Sequence, residues 1–104
     1  MNKTTDKNND LIASFMKGTK FLDYELSVHE DYNLMMNVLH KIRKNGCNIK
    51  INIGGVTYCI IEDMEFVNTD IISTTFIYNN VNIKIAIYKC IVDYINWYNK
   101  NKKR

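Results

Sequence analysis

Apolar residues along this chain recur first at helical spacing, then at strand spacing, then at helical spacing again. The pattern predicts six elements. Asn9 or Asp10 is placed to cap a short helix whose apolar positions Leu11, Ile12, Phe15 and Met16 fall three and four residues apart, with Gly18 placed to end it. Residues 1–8 are polar and non-periodic and read as a flexible N-terminal arm. Ser27, Val28, His29 and Glu30 fit a capping box, which predicts a second helix starting near residue 28. Leu34, Met35, Val38, Leu39 and Ile42 form its apolar stripe. Lys41, Arg43 and Lys44 suit the negative end of its dipole, and Asn45-Gly46 supplies the stop.

Beyond Gly46 the period falls to two. A two-residue turn at Gly54-Gly55 would pair Ile53 with Val56, Ile51 with Tyr58 and Ile49 with Ile60, all on one face. Cys59 would then lie opposite Lys50 on the other face. Residues 62–70 read as a strand end and a wide connection, and residues 71–78 as a third strand. In that strand Ile72, Phe76 and Tyr78 compete with Ile71 and Ile77 for the inward face, and Asn79-Asn80 turns the chain out. In the closing helix Ile83, Ile87, Cys90, Ile91, Tyr94, Trp97 and Tyr98 make one stripe for the sheet. A second strip of Ile85, Tyr88, Val92 and Ile95 exceeds what one sheet contact needs and must meet another helix or another subunit. The expectation is a single small α+β domain over residues 9–99, ordered α-α-β-β-β-α, with helices packed on one face of a three-stranded antiparallel sheet.

Composition narrows the class further. A chain of 104 residues with 46% hydrophobic and 24% charged content supports one core. Lys84, Lys89 and Asp93 interrupt the longest apolar run, which argues against a membrane span. Three cysteines without a Cys-x-x-Cys pair, together with a polar start, favour a reduced, cytoplasmic protein of a bacterial host cell. Residues 1–78 carry eight Lys or Arg against ten Asp or Glu, whereas residues 79–104 carry six against one. The basic residues 100–104 form a C-terminal tail that can meet phosphate or an acidic protein surface, or stay solvated. Asparagine, isoleucine and lysine dominate and proline is absent, a bias towards A/T-rich codons.

The segments Leu11-Ile12-Ala13-Ser14-Phe15-Met16, Asp31-Tyr32-Asn33-Leu34-Met35-Met36 and Tyr94-Ile95-Asn96-Trp97-Tyr98-Asn99 carry a resemblance. The chain resembles an uncharacterised small protein family of Bacteroidetes and their phages, with its LIAxFM start, DWNxLM helix and IxWYN end. Tyr32 stands where that family usually has Trp, and His40 where it usually has Glu. The resemblance implies fold and origin, and its phage setting implies an anti-defence, anti-CRISPR-type role. It brings no catalytic residue with it.

No set of side chains assembles a reaction. His29, His40 and Cys47 lack the further ligands that tetrahedral zinc needs, and Cys47 follows a helix C-terminus, which raises a thiol pKa. Cys90 reads as core, and Cys59 is undetermined. Glu62, Asp63, Glu65 and Asp70 form an acidic edge without the glycine-centred calcium-loop pattern. The expectation is a non-catalytic binding protein without metal or cofactor, occluding or remodelling a host protein or ribonucleoprotein, with a homodimer as a further possibility. Its partner-binding candidates are Ile85, Tyr88, Val92 and Ile95 with Glu62, Asp63, Glu65 and Asp70. The alternative is a small RNA- or single-strand DNA-binding domain using Trp97, Tyr98, Lys100, Lys102, Lys103 and Arg104.

Overall fold

A computed structural model describes residues 3–17 and 29–101, with the side chains of residues 3, 4, 66 and 67 left out. The elements are α1 (Lys3–Phe15), α2 (Tyr32–Lys44), β1 (Cys47–Asn52), β2 (Tyr58–Val67), β3 (Asp70–Asn79) and α3 (Ile83–Asn101). They form a compact α+β domain in the expected order, with a three-stranded antiparallel sheet β1-β2-β3. No helix among the described residues is long and apolar enough to cross a membrane.

Helix α1 starts six residues earlier than the apolar pattern suggests, so most of the expected arm is helix. The reason lies in polar contacts that hydrophobic periodicity does not register. Tyr88 Oη donates to Asn9 Oδ1 at 2.8 Å and lies 3.4 Å from the Thr5 carbonyl, and Asn9 Nδ2 donates to His29 Nδ1 at 3.2 Å. Asn9 is therefore buried yet hydrogen-bonded, and the first two turns of α1 are tied to α3. Gly18 lies outside the described residues.

Helix α2 begins about four residues later than a capping box at Ser27 would place it; Ser27 and Val28 lie outside the described residues. His29 and Glu30 form a turn, and Asp31, in extended conformation, accepts the Leu34 N–H at 3.1 Å. Asp is as good an N-cap as Ser, and the apolar stripe begins only at Leu34, so the later cap fits better. The C-terminal stop is as expected. The Asn45 N–H reaches the Lys41 and Ile42 carbonyls, and Gly46 takes φ +97°, which favours glycine.

The β1–β2 register is shifted by one from a two-residue turn. Ile49 faces Ile61, Ile51 faces Cys59 and Lys50 faces Ile60. Asn52 causes the shift, because its Nδ2 donates to the Gly54 carbonyl at 3.2 Å and the Val56 carbonyl at 2.6 Å, bracketing a five-residue loop. A one-residue slip exchanges faces along β2. Cys59 thus turns into the core, fully buried, while Ile60 and Tyr58 turn to the open face and Ile53 and Val56 are left exposed in the loop.

The wide connection expected in residues 62–70 is absent. β2 runs through it to Val67, and Asn68-Thr69 closes a tight hairpin with Asn68 at φ +60°. On β3, Phe76 and Tyr78 face inward and Ile77 outward.

Asn82 starts α3, its Oδ1 accepting the Lys84 N–H at 3.0 Å. Ile87, Cys90, Ile91 and Tyr94 are almost completely buried. α3 lies on β2 and β3, α2 lies on β1, and both α1 and α2 touch α3. Burying one isoleucine is worth about 1.5–3 kcal/mol, more than a cap at about 1 kcal/mol, so contacts around α3 decide the fold.

The ladder also fixes which backbone groups are free to look outward. The Asn80 N–H donates to the Thr57 carbonyl at 3.1 Å, continuing the pairing of Tyr58 with Asn79. Bonded and non-bonded pairs alternate in an antiparallel ladder. Even-numbered residues of β3 therefore bond to β2, and Ile71, Ser73, Thr75 and Ile77 direct N–H and C=O to the outer edge. By the same alternation β2 bonds β1 at Asn48, Lys50 and Asn52, leaving Ile49 and Ile51 to direct theirs outward.

Candidate functional site

An open groove of about 650 Å³ follows the outer edge of β1. Met36, Leu39, His40 and Arg43 of α2 form one wall, Cys47, Ile49 and Ile51 the floor, and Asn48, Lys50 and Glu62 the rim on the sheet's open face. Helical spacing makes this wall, because residues 36, 39, 40 and 43 recur every three or four positions on one flank of α2. The sequence stripe missed Met36 and Arg43 because they flank the core side of α2; Met36 is 39% exposed. The charges around the groove are Arg43 and Lys50 against Glu62. Ile49 and Ile51 in the floor offer outward strand backbone, the wall offers apolar contact and Arg43, and the rim sets Lys50 against Glu62. That combination has the geometry to take an extended segment by strand addition.

Beneath the floor lies a polar contact. Cys47 Sγ donates to Asp63 Oδ1 at 3.4 Å, and both residues are buried. Burial and then a hydrogen bond with Cys47 hold the Tyr94 hydroxyl well above its ordinary pKa. Cys90 Sγ reaches the Phe76 and Cys59 carbonyls at 3.2 and 3.5 Å. Its hydrogen bond with Cys59 and then burial push the Cys90 thiol far up. None of the three cysteines forms a disulfide and all are buried, so Cys90 is core as expected, and Cys59 joins it there.

The helix strip expected to meet a partner is largely internal. Tyr88, Val92 and Ile95 are at most 6% exposed, and only Ile85, at 41%, reaches solvent. The additional helix is α1, whose Asn9 holds Tyr88 and whose Phe15 meets Tyr94 and Tyr98 edge-on at 6.2 and 5.5 Å. The strip's width reflects a helix enclosed by sheet, α1 and α2, which corrects its assignment as a partner surface.

The acidic edge is likewise divided. Asp63 turns inward and is buried, Glu62 sits on the opposite face beside the groove, and Asp70 is exposed at the hairpin end. Alternation along β2 places Glu65 on the side of Asp63, so the four carboxylates do not converge.

Trp97 touches Phe76 and Tyr94 at 5.7 and 6.0 Å, and Tyr98 touches Phe15 and Tyr94. Their rings are joined to the aromatic end of the core rather than splayed for bases. Lys100 is exposed at the end of α3, and Lys102, Lys103 and Arg104 lie outside the described residues. His29 contacts Asn9, Glu30 and Tyr88, whereas His40 lines the groove. Among the described residues no group of three or more His, Cys, Asp or Glu side chains is placed to hold a metal ion.

No family model, curated protein or solved structure matches this chain.

Proposed function

We propose that this protein is a non-catalytic binding module that takes an extended, acidic segment of a larger protein along β1 and thereby occludes that protein's working surface. The observation that carries the reading is the outward backbone of Ile49 and Ile51 lying in a groove with Met36 and Leu39 on one side and Arg43 and Lys50 at its margins. Main-chain bonds would supply affinity, alternate side chains would enter against α2, and Arg43 with Lys50 would select carboxylates. A phage or mobile-element setting, with a host protein or ribonucleoprotein as target, is supported by the A/T-rich residue usage and the three resembling segments. The shift from helix strip to groove changes where the partner docks and keeps the mode of action.

Titrating isotopically labelled protein with extended peptides that alternate isoleucine with glutamate tests the reading. The amides of Ile49 and Ile51 are expected to shift, lysine-substituted peptides to bind more weakly, and Arg43→Glu to reduce affinity about tenfold or more. Equal binding of acidic and basic peptides, or shifts confined to the far side of the sheet, would refute it.

A further inference from the structure

The other edge of the sheet carries a different and independent message. β3 spans ten residues and pairs with β2 without a break, so no bulge twists it away. It contains no lysine, proline or glycine, and its single charge, Asp70, sits at one end. Ile71, Ile72 and Ile77 are 56, 49 and 58% exposed. Outward N–H and C=O groups at Ile71, Ser73, Thr75 and Ile77 complete a strand edge that carries none of the usual protections in its own sequence.

We infer that β3 pairs antiparallel with β3 of a second copy of this chain, about a two-fold axis through Thr74, to give a continuous six-stranded sheet. The alternation of free backbone groups restricts a symmetric pairing to registers centred on a residue. Centring on Thr74 sets Ile71 against the partner's Ile77 and Ile72 against the partner's Phe76, matching apolar residues on both faces. Centring on Thr75 would set Ile71 against asparagine and Ile77 against serine, and centring on Ser73 would set Asp70 against phenylalanine. The Thr74 register sets Asp70 against the partner's Tyr78 at its ends, but of the three it alone pairs apolar with apolar residues on both faces, and that self-complementarity fits a second copy of this chain.

Helix α3 adds charge complementarity. α2 covers the β1 side of the sheet while α3 lies over β2 and β3, so the flank of α3 turned from α1 and α2 overhangs the β3 edge. That flank carries Asp93 and Lys100, both exposed. Cys90 and Trp97 both contact Phe76, so the level of Thr74, two residues farther from the start of α3, falls near Asn96. An axis there brings Asp93 towards the partner's Lys100 and Lys100 towards the partner's Asp93. The two-fold keeps the helices of both copies on one face and leaves both β1 grooves at the outer ends.

Sedimentation equilibrium over a dilution series tests the inference. The expected species at high concentration has twice the 12.3 kDa monomer mass. Ile77→Lys, at an exposed position that leaves the monomer folded by circular dichroism, should raise the dissociation constant tenfold or more, while Lys50→Ala on β1 should leave it unchanged. Thr74→Cys should give a cross-linked dimer on mild oxidation, since the native cysteines are buried. A monomer throughout the series, or a dimer indifferent to Ile77→Lys, would overturn it.

Discussion

The two outer strands of one sheet meet solvent in opposite ways. β1 is six residues long, carries Lys50 near its middle between Asn48 and Asn52, and has α2 as a wall along its groove. β3 is ten residues long and uncharged except at Asp70. A charged, walled edge rejects most strands and admits those with matching charge and side chains, whereas an uncharged β-branched edge favours a strand that matches it residue for residue, here its own copy. The difference fits the two proposed tasks, selective capture at β1 and self-association at β3, both of which depend on the shared central strand β2.

The largest expected effect strikes what the two edges share. Ile61 is fully buried on β2, opposite Ile49 on one side and Phe76 on the other. Ile61→Ala removes buried methyl groups and leaves a cavity, which costs about 2–5 kcal/mol. Urea denaturation should show the midpoint falling with an unchanged m-value, with peptide capture and dimerisation lost together as the fold is lost. If one function survived in a population where the other had gone, the two edges would not share a cooperative unit.

A smaller and more discriminating effect comes from proline on β3. Thr74 donates its N–H into the ladder with β2, whereas Thr75 directs its own outward. Thr74→Pro leaves a carbonyl of β2 without its donor, a loss of about 1–3 kcal/mol beyond the strain of the ring. Thr75→Pro removes only the edge N–H, so thermal unfolding should show it clearly more stable than Thr74→Pro, while sedimentation shows its dimer weakened. The reverse ranking in stability would invert the alternation on which both edge assignments stand.

Much of this architecture is legible in the sequence, because long apolar repeats such as those of α2 and α3 reflect burial directly. What was not legible turned on single polar side chains. Asn52 set a five-residue loop and moved the β1–β2 register by one, so Cys59 and Ile60 exchanged faces. Asn9, polar and apparently solvent-seeking, is a buried partner of Tyr88, and so α1 extends into what reads as an arm. The α3 strip of Tyr88, Val92 and Ile95 was correctly singled out as needing cover, but periodicity cannot say whether that cover comes from the same chain. The groove was invisible for a related reason. It joins residues 36–43 to residues 47–51 and 62 across a turn and a register that only the folded chain defines.

The mildest perturbation acts on β1 alone. Asp31 caps α2, the wall of the groove, by accepting the Leu34 N–H, and it has no part in the sheet. Asp31→Ala should cost about 1 kcal/mol in global stability, with Asp31→Asn close to the parent, because asparagine caps as well as aspartate does. Local opening of the first turn should reach Met36, so amide exchange there quickens and peptide capture at β1 weakens several-fold. The β3 dimer constant should stay at its parent value, since nothing on that side of the sheet leans on the cap. If Asp31→Asn fell as far as Asp31→Ala, the carboxylate's charge at the dipole would be the stabilising element instead of its hydrogen bond. If dimerisation weakened in step with peptide capture, the two edges would be coupled through α3, and their separation into independent tasks would fail.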